Sequence, residues 1–245
     1  MLPFTSHKSI AFLVLPLTAI FGIGSLACFM VFLYSGPFNW VKLDLTEAQG
    51  MVLNTLLSFC FFFQHSGMVR RSFRRQLESI IPPHYQGVTY TIISGLVLFV
   101  FLVLWQGSDT VLLNVQGLPE IIMRSFFFLA ILGSIWGMWA LRFVDLFGLD
   151  AVARHQKAES SEAKPFTLRG PYRWVRHPLY LFTIIFFWSY PVITSDRLLF
   201  NILWTIWVIV GARLEEQELV EDFGDEYREY QSKVPMLFPR SFRPV

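Results

Sequence analysis

Two short stretches concentrate the residues able to do chemistry. Arg169–Tyr180 reads R-G-P-Y-R-W-V-R-H-P-L-Y, and Arg213–Tyr230 reads R-L-E-E-Q-E-L-V-E-D-F-G-D-E-Y-R-E-Y. In the first, Pro178 suits the opening position of a helix, where its missing N–H leaves nothing unpaired, so Arg176 and His177 fall at a helix entrance. Orphan N–H groups and the positive end of the macrodipole gather there, and Arg169, Arg173 and Arg176 add formal charge, so a carboxylate or phosphate would be well placed. The same residues also suit the basic flank of a membrane span, with Tyr172, Trp174 and Tyr180 in the interfacial aromatic belt. In the second stretch, Glu215 and Glu216 leave an apolar run as it meets water, where a carboxylate is costly to bury without a cationic partner or ligand. Arg213 lies close enough in sequence to orient one of them or to bind a substrate anion. A solvated acidic helix is the plainer account, since Glu218, Glu221 and Asp222 follow.

The elements that must position these residues are membrane helices. Of the 245 residues 54% are apolar and 26 are Phe, a balance that a soluble domain would carry only with large exposed patches. Apolar runs at about 10–34, 48–68, 88–106 and 121–143 are each long enough to cross a hydrocarbon core that needs ~20 helical residues. Two shorter runs, 179–193 and 198–212, flank a reversal at Pro191–Asp196 and predict a helical hairpin that just reaches or undershoots the far interface. The expected fold is therefore all-α, a polytopic transmembrane bundle of four long spans with a C-terminal helical hairpin and cytoplasmic amphipathic helices. Residues 1–155 form the bundle and 156–245 the catalytic part, joined by a polar linker over 156–171. Gly224 is expected to end a helix and Asp225 to cap the next, with Tyr227 and Tyr230 on one face of it. Whether those tyrosines cover a cofactor or the membrane surface stays open at this point.

Loop charge gives the orientation. Arg70, Arg71, Arg74 and Arg75 follow span two, and Arg154, Lys157, Lys164, Arg169, Arg173 and Arg176 follow span four, whereas the opposite loops hold only Lys42 and Arg197. Both termini are then cytoplasmic, on the inner membrane if the source is bacterial. A net charge of +2 gives no nucleic-acid footprint. Cys28 and Cys60 sit in apolar runs, where inert buried thiols are expected, and neither H-E-x-x-H nor a zinc-like cluster is present. The absence of internal repeats weighs against a transporter.

Together the motifs resemble the integral-membrane methyltransferases that include isoprenylcysteine carboxyl methyltransferase and the phospholipid methyltransferases. The likeness is carried by Arg176-His177-Pro178-Leu179-Tyr180, Glu215-Glu216-Gln217-Glu218-Leu219 and Phe223-Gly224-Asp225-Glu226-Tyr227-Arg228-Glu229-Tyr230. Gln64-His65-Ser66 with Met68 and Arg70, Asp145-Leu146-Phe147-Gly148-Leu149 and the closing Val234–Pro239 narrow it to the methanethiol S-methyltransferase branch, which is related to nurim. The resemblance implies S-adenosylmethionine as methyl donor, held by His177 and Tyr180, to which the neighbouring Tyr172, Arg173, Arg176, Pro178 and Glu215 are added here as candidates. Glu216, Arg213 and Glu215 are the candidate catalytic residues, and His65, Arg70 and Arg142 the candidates for the acceptor. That acceptor is a small hydrophobic thiol or a lipid-like molecule arriving from the bilayer. Displacement at a sulfonium is pre-activated and requires no metal. Isoprenylcysteine carboxyl methylation, phospholipid N-methylation and a non-enzymatic nurim-like role are the alternatives.

Overall fold

A computed structural model of the chain describes residues 14–141, 145, 147–157 and 168–240. Arg142, Leu146 and most of the expected linker, residues 158–167, lie outside the described residues, as do the ends of the chain. Among the described residues, five helices are long and apolar enough to cross a membrane. They are α1 (Val14–Ser35), α2 (Glu47–Val69), and then, after the short basic α3 (Arg71–Leu77), α4 (Pro83–Leu104). A strand β1 (Val111–Asn114) leads to α5 (Leu118–Ala140), and α6 (Leu149–Lys157) follows. After a 3₁₀ turn at Gly170–Arg173 come α7 (Pro178–Trp188), β2 (Val192–Thr194), α8 (Ser195–Phe223) and α9 (Asp225–Lys233). The chain is an integral membrane protein with a helical fold, as its composition requires.

The described residues divide into two compact units. The first holds residues 14–32, 37–107, 145 and 147–157, and the second 33–36, 108–141 and 168–240. In the first, α1 and α4 touch at Gly95, where an added Cβ would lie against the Phe21 carbonyl. The capping box of Thr46 and Gln49 starts α2, and Asn54 bonds the backbone of Gln106 in both directions at 2.7 and 2.9 Å. Such small-residue contacts and side-chain bonds hold apolar helices together where burial against lipid gives little net drive.

In the second unit, α5 packs along α7 through glycines. A Cβ on Gly133 would strike the Phe182 ring and one on Gly137 the Leu179 side chain. The 3₁₀ turn rests on the same helix: Gly170 has φ +53 and faces Ala140 and Trp136, so both its conformation and its space exclude a side chain.

The hairpin departs from the expectation in its second arm. That arm was expected over 198–212 as a short one, whereas α8 runs unbroken for 29 residues, about 43 Å at 1.5 Å per residue. The residues after Ala212 are good helix formers with no breaker before Gly224, so the helix continues past the hydrocarbon into the acidic stretch. The first arm, α7, has 11 residues and undershoots. Beyond it the chain becomes strand rather than a bare reversal, with β2 pairing antiparallel to β1 through Leu113 and Ile193. Val-Ile-Thr and Val-Leu-Leu are too short to give a periodic signal, and the pairing is non-local.

Candidate functional site

Gly224 reverses the chain between α8 and α9 with φ +56, its N–H donating to the Val220 carbonyl. Asp225 is the first residue of α9 rather than its cap, because Gly224 itself takes the non-helical position. The reversal lays Tyr227 and Tyr230 against Leu219, Val220 and Phe223. Both rings are buried, edge to face at 5.7 Å. The Tyr230 hydroxyl donates to the Tyr172 carbonyl at 2.6 Å, which ties α9 to the 3₁₀ turn. Both tyrosines therefore pack inside the protein.

The tail then comes back across the entrance of α7. The Arg176 N–H donates to the Pro235 carbonyl at 2.9 Å and that of His177 to the Met236 carbonyl at 3.0 Å, while Val234 and Leu237 are buried beside them. Pro178 opens α7 with His177 as the preceding cap residue, as its sequence position predicts. The donors expected to face a bound anion from Arg176 and His177 are thus partly used by the tail.

Glu216 is the centre of the site. Its Oε1 accepts from Arg176 Nε at 2.6 Å and lies 3.1 Å from His177 Nε2, and its Oε2 accepts from Arg176 Nη2 and from the Gln231 amide, each at 3.1 Å. The Arg176 Nη1 donates to the carbonyls of Gln231, at 3.0 Å, and Val234. This is a fork-to-fork pair with every group satisfied, and its side chains are only 11% and 12% exposed. Arg176 fills the place expected for Arg213, which is exposed. Glu215 differs from its neighbour. Its side chain is 47% exposed, and its nearest partner is His177 Nδ1 at 3.7 Å, beyond hydrogen-bonding distance.

His177 therefore lies between a carboxylate that is locked and one that is open. Its ring stacks on Tyr180 at 5.3 Å and 12°. Burial lowers the imidazole below its ordinary value and outweighs the opposing pull of Glu215 and Glu216, so the ring is neutral around pH 7. Burial also raises the Tyr172, Tyr227 and Tyr230 hydroxyls above their ordinary value, Glu215 adding to this at Tyr172 and Glu216 at Tyr227. These phenols stay protonated.

Of the candidates read from the sequence, the structure brings together Tyr172, Arg176, His177, Pro178, Tyr180, Glu215 and Glu216, with Arg173 exposed on the 3₁₀ turn. Gln231, Tyr230 and the Val234–Met236 backbone complete the knot and were not singled out as site residues. The closing Val-Pro-Met-Leu-Phe-Pro motif was the available signal, because an apolar run with two prolines has no reason to end a solvated tail. His65 and Arg70 belong to the first unit. There the His65 ring lies 2.8 Å from the Tyr90 hydroxyl, and Gln64 donates to Ser94 at 3.0 Å, giving a polar patch between α2 and α4. Among the described residues, no three His, Cys, Asp or Glu converge as metal ligands.

The phospholipid methyltransferase family model matches residues 121–226, which take in α5, the Arg176–Tyr180 motif, α7 and α8. The methanethiol S-methyltransferase 1 of Bradyrhizobium diazoefficiens is 34% identical over 206 residues, covering 80% of this chain and 69% of that protein. The methanethiol S-methyltransferase of a Pseudomonas species is 34% identical over 232 residues, 91% of this chain and 85% of its own. The human protein-S-isoprenylcysteine O-methyltransferase is 35% identical over 89 residues, 33% of this chain and 30% of its own. No solved structure matches the chain.

Proposed function

We propose that this chain, which belongs to the methanethiol S-methyltransferase family of membrane methyltransferases, transfers the methyl group of S-adenosylmethionine to methanethiol and releases dimethyl sulfide. The observation that carries the reading is the Arg176–His177–Glu216 knot, which draws the helix entrance, the acidic stretch and the tail into one place inside the region matched by the family model.

The donor offers a carboxylate, an ammonium, ribose hydroxyls, an adenine edge and a sulfonium. The residues present suit it: Arg173 for the carboxylate, the half-exposed Glu215 for a cationic or hydroxyl group, and the stacked rings of His177 and Tyr180 for a flat or cationic surface. When bound, the donor supplies an activated methyl group. The chain's part is to align that carbon with the incoming sulfur and to keep water out. Arg176 and Glu216, fully occupied by each other and by the tail, fix the position of His177.

Catalysis is assigned to residues 156–245 and placed at the cytoplasmic face, with both termini on that side. The contrast between the arginine-rich loops and the nearly bare opposite loops supports this orientation. His65, Arg70 and Arg142 are proposed to meet the acceptor, which enters from the bilayer. Headspace gas chromatography of cells fed methanethiol tests the reaction: dimethyl sulfide well above an empty-vector control is expected, and equal amounts would remove the thiol assignment.

A further inference from the structure

Methylating a neutral thiol leaves one proton to be disposed of, and the geometry around His177 indicates where it goes. Glu216 accepts only, and it is already held as a carboxylate by both arms of the Arg176 guanidinium. The His177 nitrogen 3.1 Å from its Oε1 must therefore carry a hydrogen, which fixes the neutral ring as the Nε2–H tautomer. The lone pair is then on Nδ1. Among the described residues Nδ1 makes no hydrogen bond, and it faces the Glu215 carboxylate at 3.7 Å, too far for a bond yet close enough to attract a positive ring.

We propose, building on the thiol reading above, that His177 Nδ1 is the proton acceptor of the reaction. The thiol S–H bond breaks and its proton moves to Nδ1 while the sulfur lone pair forms the new bond to the methyl carbon. The old carbon–sulfur bond breaks with its electron pair left on the donor sulfur. Dialkyl sulfide and a neutral thioether result, and the imidazolium formed is held between Glu216 on Nε2 and Glu215 near Nδ1. Once the products leave, water entering beside the 47% exposed Glu215 takes the proton from Nδ1 and restores the neutral ring. Glu216 is a positioning residue in this scheme: it fixes tautomer and orientation and touches no reacting atom. Among the described residues, the charged groups acting on the ring are Arg176 before it and Glu215 and Glu216 on α8, with Tyr180 of α7 stacked on it; Tyr227 of α9 faces the same carboxylates and Arg176.

The test uses two small thiols of different acidity, methanethiol and trifluoroethanethiol, the second far more ionised at neutral pH and so much less dependent on a base. With the full-length protein in detergent, His177→Gln should slow turnover of methanethiol by at least ~100-fold, as loss of a general base does, but that of trifluoroethanethiol by less than ~10-fold. Because the His177 ring also lines the proposed donor site, donor affinity should fall in this variant, so both rates are read at saturating donor, where that loss acts on the two thiols alike. Equal losses with the two thiols would overturn the proposal and leave His177 as a binding residue. A second arm needs no change at His177. The wild-type rate should fall as pH drops through the His177 pKa, and Glu215→Gln, by removing a charge that raises that pKa, should move this acid limb to lower pH. An unmoved limb counts against the proposal even if His177→Gln fails to fold. Should the wild type methylate neither thiol, it is the assigned reaction that falls.

Discussion

Two arginines flank α7, Arg176 half-buried just before it and Arg197 fully buried after it, and what surrounds each differs. Arg176 is paired with a carboxylate, and a second carboxylate, Glu215, stays open beside the pair. Arg197, fully buried near the start of α8, donates through Nη2 to the carbonyls of Leu33 and Phe187 at 2.9 and 3.2 Å, and its guanidinium lies over the Tyr190 and Phe200 rings. Next to it, Asp196 accepts from the Thr194 hydroxyl at 2.6 Å and the Ser108 N–H at 2.9 Å, fastening the connector before β1 to the start of α8. The Arg197 donors face helix-end carbonyls and its guanidinium lies over aromatic rings, a setting that ties helices together. An ionisable residue in a span is a functional candidate by default. These two differ in what stands beside the charge: Glu215, next to Arg176, is half open to water, whereas Asp196 and Asn201, the polar neighbours of Arg197 on α8, are fully buried.

The largest effect should come from Arg197→Leu, which strands two helix-end carbonyls and leaves the buried Asp196 without its neighbouring cation. A loss of about 3–5 kcal/mol is expected, read as a fall in the unfolding temperature in detergent. The folded fraction should bind donor normally. A variant that stays stable and loses donor binding would erase the distinction between the two arginines.

Next in size is Glu216→Gln, which keeps the side chain's shape, removes the charge that Arg176 grips and turns one acceptor into an N–H donor facing the donors of Arg176 or Gln231. Methyl transfer should drop by at least ~10-fold, equivalent to ~1.4 kcal/mol of transition-state stabilisation, with a lower unfolding temperature beside it because the Arg176 charge is left uncompensated. Full activity would show that the orientation of His177 does not depend on this carboxylate.

The contrast also marks what could be read from the chain alone. The four long spans, the entrance at Pro178 and the convergence of His177 with Glu215 and Glu216 were legible because hydropathy, proline chemistry and motif spacing are local signals. The partner of Glu216 was not, since Arg176 and Arg213 are equally charged and only the path of the tail decides between them. Gln231 and Val234 form their bonds to Arg176 across 55 and 58 residues, a separation to which periodicity is blind. Arg197 read as a loop charge because it adjoins the Pro191–Asp196 reversal, whereas the β1–β2 pairing and the early start of α8 bring it inside. The length of α8 was missed for a different reason: the acidic stretch ends the apolar run without ending the helix.

The smallest effects give the finest comparison, because each arginine site contains one neutral hydroxyl bond of the same length. The Tyr230 hydroxyl donates to the Tyr172 carbonyl at 2.6 Å, and the Thr194 hydroxyl donates to Asp196 at 2.6 Å. Removing either should cost about 1 kcal/mol, somewhat more for the bond to a carboxylate. Where that cost appears should differ. Tyr230→Phe loosens the 3₁₀ turn that carries Tyr172 and Arg173 toward the proposed donor site, so donor affinity should weaken by about three- to tenfold, by calorimetry, while the unfolding temperature barely moves. Thr194→Val removes a bond that only orients the Asp196 carboxylate, to which the connector is fastened through Ser108, so it should lower the unfolding temperature by a few degrees and leave donor affinity unchanged. If both substitutions weakened donor binding to the same degree, the two ends of α8 would be one coupled unit, and the assignment of separate catalytic and structural roles to Arg176 and Arg197 would fail.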